Sequence, residues 1–542
     1  MSLKRLLSIG EVLLIIVLAL IPIFASFPYR LNIFLSWEGA YRMYLGQTPY
    51  KDFGLPLGYM YWVIPGLFFK IFGAQMITLV KAQAFINILG GLAFRSIFRT
   101  LKVSPVIRFA GILVFCLSYS FMNYWPWYNH TVIMYELVAL AFLMKYLFSE
   151  RKIKWLFLAL SGLFVFFSFF TKQDGGGLAF LVCAALLLYE AIREKKFLPL
   201  VVFVGSVLIA GLIMILPVSG YNFGYWFNHG QPPHTSRMSL MDIVGEFLAG
   251  SVWLKFYIFI IAVLLTARLQ QGWKTLWSNR QEMIMGLLAL GILVEAAIFQ
   301  VTSYVPVDNN IFFHSFAIVY ILYLLQPFLP LRFETWKVVL VFSCGVLLWW
   351  SHTYWKYMER FVLRGKPSYE TIEYKGYHYA KQVDRNTYMI NMDTTDIPLH
   401  NWRTVNLKSF EKMLLPGPTA DGIERLMNMP LIKNGNGKLK VLNMTELTPL
   451  AAEVPFELEK GSYYPLWFHK GVGMFDKETD MFCDRIEKKH YDLVLFEFIP
   501  YLNNFYPYKV REYLEKNYTK VDSFVAPRKP TPNAWVEVWV KP

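Results

Sequence analysis

The stretch "NIFLSWEGAYRMYLGQTPYKDFGLPLGYMYW" runs from Asn32 to Trp62. It is too polar to lie in lipid and too apolar for an ordinary solvated loop, and a lone carboxylate, Glu38, stands near its start. Just upstream, Val12 to Phe27 forms an apolar run behind Lys4 and Arg5. This run has no clear small-residue cleavage site and further apolar runs follow it, so it reads as a first membrane-spanning helix rather than a signal peptide. Asn32–Trp62 is then the first loop beyond the membrane, with its acid a few residues from the bilayer.

Composition points the same way. Of 542 residues, 56% are hydrophobic and 18% aromatic, more apolar than soluble globular chains. The net charge of +15 needs no nucleic acid, because Lys and Arg collect in cytoplasmic loops and beside lipid phosphates. Cys116, Cys183, Cys344 and Cys483 form no CxxC pair, so neither a disulfide framework nor a zinc site is indicated.

A bilayer core of ~30 Å takes ~20 mostly apolar residues per helix. Expected spans lie near Val12–Phe27, Met76–Phe98, Val106–Phe121, Thr131–Phe148, Trp155–Phe170, Gly176–Ala191, Leu198–Leu216, Ser251–Ala267, Met283–Phe299, Ile311–Leu329 and Val338–Trp350, about eleven in all. Tyr59–Phe72 is apolar too, but it is short, holds Pro65 and ends near Lys70, so it reads as lying in the interface. With the N-terminus cytoplasmic, the inner connections are "RSIFRTLKVSPVIR", "SERKIK", "REKK", "RLQQGWKTLWSNRQE" and "LRFETWK". The outer ones, "NYWPWYNH", "TKQDGG", the loop from Ser219 to Gly250 and "TSYVPVDNN", carry few cations. This is the positive-inside pattern, and counting Tyr59–Phe72 as a span would break it; the expected location is a bacterial inner membrane.

An odd number of spans leaves the tail outside. From about His352 the composition becomes that of a soluble domain, with strands expected at Tyr491–Phe498 and Asn533–Val540 and an amphipathic helix at Tyr508–Tyr518. The expected architecture is a polytopic α-helical membrane domain over 1–351 and an extracytoplasmic α+β domain over 352–542. No repeat or low-complexity linker is evident.

The outer side gathers the polar groups, and charges at membrane depth are costly unless they are paired or face a wet cavity. Glu38 stands four residues before Arg42, the spacing of a plain helical ion pair. Held where water is partly excluded, the same carboxylate can act as a general base, and Gly39 would let the backbone come close to a ligand. Lys172 in "FFTKQDGGG" is either a snorkelling cation or one that meets a phosphate while the glycines admit a headgroup; the P-loop order is absent. Arg42 and Lys51 are the other candidate phosphate cations.

"NYWPWYNH" reads as an aromatic belt, or, through Tyr128, Asn129 and His130, as a surface for a sugar ring. Asp52, Gln173 and Asp174 complete the polar set. His314, one turn inside a late span, is a helix–helix hydrogen bond or a substrate contact. Asp308 with Asn309 and Asn310 offers oxygen ligands to a divalent cation, the one cofactor in view; no His-x-x-x-His or Glu-x-x-His pattern accompanies it. His229 and His234 flank "GQPP" in the long outer loop.

The order of these features carries a resemblance. Glu38-Gly39 soon after the first span, then "GQTPYKDF" (Gly46–Phe53), then "PLGYMYW" (Pro56–Trp62) and Phe72-Gly73, resembles the first outer loop of GT-C glycosyltransferases. The similar group is family 39, which includes protein O-mannosyltransferases and the aminoarabinose transferases that modify lipid A; "FFTKQDG" resembles that family's Lys-bearing segment. The resemblance covers roughly Met1 to Trp350 and is tightest in the first loop. It implies a sugar donor carried on a polyprenyl phosphate, used on the outer face with inversion at the anomeric carbon. The acceptor would be a lipid, glycan or protein. The family's loop acid maps onto Glu38. Two departures stand out: Trp37-Glu38 occupies the place of the frequent Asp-Glu, and Leu55 the place of a phosphate-binding Lys, which leaves that role to Arg42, Lys51 or Lys172.

The expected function is therefore a membrane glycosyltransferase with Glu38 as general base. The rival is a transporter or flippase for lipid-linked or anionic sugars, which intramembrane polar groups would also suit, although repeated halves are not evident. A sugar-sensing scaffold is a further alternative.

Overall fold

A computed structural model describes residues 2–29, 33–119, 124–150, 152–227, 240–249, 251–270, 272–303, 311–351, 354–355, 371–374, 377–380, 397, 401–435, 439–454, 456, 458–466, 468, 474–499, 507–527 and 534–542. The first two thirds are helical: α1 (Leu3–Leu20), α2 (Ile33–Tyr44), α3 (Met60–Phe72), α4 (Met76–Thr100), α5 (Pro105–Tyr119), α6 (Tyr128–Phe148), α7 (Lys154–Phe169) and α8 (Gln173–Glu194). There follow α9 (Leu198–Ser219), α10 (Leu240–Ala249), α11 (Val252–Leu269), α12 (Trp273–Ser278), α13 (Arg280–Ser303), α14 (Ile311–Leu325) and α15 (Trp336–Trp349).

Each expected span overlaps one of these helices, but the first was expected to reach Phe27, whereas α1 ends at Leu20 and Phe27 stands in a strand, and the span expected to Leu329 ends as a helix at Leu325. Seven helices among the described residues are long and apolar enough to cross a membrane, and five more are apolar but shorter. Leucine and isoleucine side chains on α9, such as Leu208, Ile213 and Leu216, remain exposed; a face of this kind is stable where lipid rather than water covers it. The interfacial reading of Tyr59–Phe72 meets α3, whose 13 residues reach only about 20 Å, short of a bilayer core.

One end of the bundle is tied by ion pairs. Glu11 of α1, fully buried, takes Arg95 of α4 at 2.7 Å and Arg108 of α5 at 2.8 Å. Glu190 of α8 pairs with Arg280 of α13 at 2.8 Å, and Glu282 with Arg268 of α11 at 3.3 Å. Burying such charges is tolerable because each has its partner. These arginines belong to the basic connections expected on the cytoplasmic side.

The other end carries the C-terminal module. Its main sheet has the order β6-β7-β9-β8, from β6 (Val441–Met444), β7 (Leu493–Phe498), β8 (Thr519–Val525) and β9 (Trp535–Val540). β6 and β7 run parallel and the other neighbours antiparallel. The helix Phe475–Glu487 makes the crossover that a parallel pair requires. β7, "LVLFEF", is buried along almost its whole length, the pattern of a strand covered on both faces. A β2–β3 hairpin, Thr371–Tyr374 with Tyr377–Ala380, precedes the sheet.

The module is stitched into the first outer loop. Strand β1 (Phe27–Pro28), which follows α1 after a 3-10 turn at Ile21–Phe24, pairs in parallel with β5 (Met413–Pro416), which also holds β4 (Trp402–Arg403). Trp37, Tyr50, Phe53, Tyr61 and Trp62 share one buried cluster with Phe410, Ile423, Leu447 and Val494 of the module. The aromatics that made Asn32–Trp62 too apolar for a loop are thus its interface with the tail.

Candidate active site

Glu38 lies on α2, an amphipathic helix that packs on α3 and against the module. Its Oε1 accepts from Nε of Arg42 at 3.0 Å and lies 2.9 Å from Nη2. The i,i+4 spacing produces this pair locally, as the sequence allowed. The surroundings could not have been read from spacing. Arg42 is fully buried; its Nη1 donates to Gln47 Oε1 at 2.8 Å and to the backbone carbonyl of Glu459 at 2.9 Å. The Tyr464 ring lies 4.7 Å from the guanidinium carbon, and Phe53 lies 5.6 Å away.

The Glu38 side chain keeps 15% exposure, facing a narrow cavity lined by Val441, Asn443, Thr448, Phe456, Glu459 and Tyr464 of the C-terminal module. Thr448 Oγ1 is buried there without a hydrogen-bond partner among the described residues. Burial pushes the Glu38 carboxyl above its ordinary value, and Arg42 draws part of that rise back. A carboxylate tuned in this direction suits proton abstraction near neutrality. Glu459 is likewise pushed up by burial while Arg485 and Tyr491 hold it, Tyr491 Oη donating at 2.9 Å.

A strap of the module, Gly461–Leu466, fixes this wall to the first loop. Gly461 N donates to Asp52 O at 2.8 Å, Gly54 N to Tyr464 O at 2.7 Å, and Leu466 N to Gly54 O at 2.9 Å. Asp52 otherwise accepts from the Thr48 amide at 2.7 Å. Lys51 is exposed, with its ammonium 5.4 Å from the Tyr221 ring. The space over Gly39 is filled by the Trp62 indole, into which a Cβ would run, so close packing is what this glycine serves.

The remaining candidates form a second group. Lys172 pairs with Asp174 at 2.9 Å, and its ammonium lies 4.8 Å from the Phe299 ring and 5.7 Å from that of Tyr128. Gln173 Nε2 donates to Trp226 O at 3.1 Å. Asn129 and His130 are buried in the first turn of α6. Among the described contacts none joins this group directly to Glu38; Tyr61, which meets Ser36 of α2 and the Tyr128 ring, stands between them. His314 belongs elsewhere, its Nδ1 2.9 Å from Tyr257 Oη and its ring 4.2 Å from that of Trp253. Asp308, Asn309, Asn310, His229 and His234 lie outside the described residues. Among those described, no group of three or more His, Cys, Asp or Glu could hold a metal ion.

Several polar residues escaped the sequence reading. Thr448, Glu459 and Tyr464 come from a segment more than 400 positions from Glu38, and no local pattern marks them. Glu478 of the module, accepting from Tyr225 Oη, is pushed up to about 8 by burial. Glu136 of α6 and Glu295 of α13 could have been found as lone acids inside apolar runs.

The chain is thus an integral membrane protein of the polytopic helical class, with an α+β module closing over a carboxylate at one end of the bundle. Two solved structures are similar to it. ArnT from Cupriavidus metallidurans in the apo state has a TM-score of 0.44 at 14% identity, over 67% of this chain and 66% of that one. The same protein bound to undecaprenyl phosphate has a TM-score of 0.42 at 12% identity, over 66% of each chain. The match thus spans just under two thirds of the length of ArnT. No protein-family profile matches the chain, and no curated protein matches its sequence.

Proposed function

We propose that the chain is a membrane glycosyltransferase that moves a sugar from a polyprenyl-phosphate donor to an acceptor on the extracytoplasmic side, with inversion. The observation that carries this reading is Glu38: a carboxylate in a juxtamembrane loop, enclosed with its neighbouring arginine, and facing a small cavity walled by the C-terminal module. The GT-C-like order of the first loop supports the same assignment. In the proposed step an acceptor O–H or N–H attacks the anomeric carbon and Glu38 takes the proton. The bond from that carbon to the phosphate oxygen breaks, and the polyprenyl phosphate leaves with the electron pair.

A fixed cation would offset the charge developing on that phosphate. Arg42 already serves Glu38, Gln47 and the Glu459 carbonyl, and Lys172 serves Asp174. Lys51, exposed beside Tyr221, is therefore our assignment for the phosphate, with Lys172 as the second contact. Tyr128, Asn129, His130, Gln173 and Asp174 are assigned to the sugar, and the chain is read as two domains, 1–351 and 352–542.

The test is transfer in proteoliposomes supplied with polyprenyl-phosphate sugars extracted from cells lacking the protein, where the donor should accumulate. Glu38→Gln is expected to cost about 10²–10⁴-fold in turnover. Undiminished transfer by that variant would overturn the assignment. The transporter reading retains one observation, the two buried acids Glu136 and Glu295 inside the bundle; vesicle uptake of the donor without transfer would favour it.

A further inference from the structure

The cavity before Glu38 is small, and its lining is selective. Its free volume of about 10 Å³ leaves room for a single water-sized group. Around that space stand Glu38 of α2 and Asn443, Thr448, Glu459 and Tyr464 of the C-terminal module. No Lys, Arg or His is among the described residues that line it. The cation paired with each acid is already engaged. Arg42 holds Glu38 and donates to the Glu459 carbonyl at 2.9 Å, and Arg485 pairs with the Glu459 carboxylate.

The module presents this wall from a braced turn. Asn443, near the end of β6, donates to Leu447 O at 3.2 Å and accepts from Thr445 Oγ1 at 2.7 Å. Thr445 Oγ1 in turn accepts from the Leu447 amide at 3.0 Å. Thr448 follows at the start of a 3-10 turn, Thr448–Ala452. It is 6% exposed, and its Oγ1 meets no hydrogen-bond partner among the described residues. A buried hydroxyl is costly to leave unpaired, so an entering group that can hydrogen-bond with it is favoured.

Charge and size narrow what that group is. A phosphate or carboxylate would meet two acids and no facing cation, and its several oxygens exceed the space. A primary amine would be held by those acids as its ammonium, which has no lone pair with which to attack. An uncharged hydroxyl fits, turning its proton to Glu38 and sharing a hydrogen bond with Thr448. We propose that the C-terminal module builds the acceptor site, and that the acceptor is an uncharged alcohol hydroxyl rather than a phosphate or an amine. This rests on the transferase reading above. In the step, the hydroxyl oxygen bonds to the anomeric carbon and its proton passes to Glu38. The bond from that carbon to the donor phosphate breaks, and its electron pair leaves with the phosphate.

The test uses the full chain in proteoliposomes, polyprenyl-phosphate sugar labelled in the sugar, and envelope extract from cells lacking the protein as acceptor. Transfer to a hydroxyl makes a glycoside, which survives mild acid. Transfer to a phosphate or an amine makes a linkage that mild acid splits. The wild-type product, separated from unspent donor, should keep its label through that treatment. Thr448→Val keeps the side chain's shape and removes its hydroxyl. It should raise KM for the extract about tenfold and leave KM for the donor unchanged, and Thr448→Ser should restore the wild-type value. A product that releases labelled sugar in mild acid would overturn the acceptor assignment and leave the transferase reading standing, as would an unchanged acceptor KM in Thr448→Val. Absence of transfer by the wild type would overturn the transferase reading, and this inference with it. The acid stability of the wild-type product keeps the test decisive if a variant does not fold.

Discussion

At the scale of the residue, Glu38 and Arg42 show what the sequence could and could not state. Their pairing follows from helical spacing, and it stands at 2.9–3.0 Å. The enclosure that gives the pair its chemical character is not local, because the Glu459 carbonyl and the Tyr464 ring arrive from the far end of the chain. That enclosure sets the sign of a pH effect. Burial raises the Glu38 carboxyl and Arg42 lowers it again, and a general base works only once it has lost its proton. Weakening Arg42 therefore leaves Glu38 protonated to higher pH. The acidic limb of the transfer rate should move upward in Arg42→Lys, which loses the two-point contact, and further in Arg42→Gln, which loses the charge as well. A pH–rate profile in proteoliposomes reads this directly, and an unmoved limb in both variants would separate Glu38 from the proton transfer.

At the scale of the element, the segment after α7 was legible in outline but not in purpose. "TKQDGGG" suggested either a flexible turn or room for a headgroup. The structure gives two of its three glycines a packing reason. A Cβ on Gly176 would stand 2.1 Å from the Phe169 backbone at the end of α7, and one on Gly175 would stand 2.9 Å from Val132 of α6; one on Gly177 would meet nothing within 4 Å. The tight α7–α8 turn needs a missing side chain at one position, and this turn delivers Lys172 and Asp174 to their places. Gly176→Ala should therefore lower the melting temperature in detergent, at a cost of about 1–3 kcal/mol or more, because backbone must move. Gly177→Ala should be neutral or slightly stabilising, since alanine is the better helix former. Equal melting temperatures for the two variants would mean that the turn relaxes freely.

At the scale of the whole molecule, periodicity and charge gave the helices because apolar runs of ~20 residues have few alternatives in a bilayer. They also gave the strands around Leu493–Phe498 and Trp535–Val540, whose mostly apolar runs, each broken by one glutamate, suit a covered sheet. They did not give the docking of tail on loop, since β1 pairing with β5 links positions almost 400 residues apart and rests on two residues, Phe27 and Pro28. That docking makes a statement about sides: Glu38, the Lys172–Asp174 pair and the C-terminal module belong to one end of the bundle, and the arginine-rich ion pairs of Glu11, Glu190 and Glu282 to the other. If Lys and Arg mark the cytoplasmic face, a cysteine replacing exposed Lys489 of the module should react with a membrane-impermeant maleimide added outside intact cells. One replacing Lys102, between α4 and α5, should react only after the membrane is opened. The native Cys116, Cys183, Cys344 and Cys483 are first changed to alanine so that the introduced thiol alone reports. Lys489 and Lys102 are both exposed, so a difference in reaction reads sidedness rather than burial. Reaction of Lys102→Cys alone from outside would place the Glu38 cavity where no lipid-linked donor presented to the exterior could reach it, and reaction of both positions from outside would mean that the two ends of the bundle do not face opposite sides.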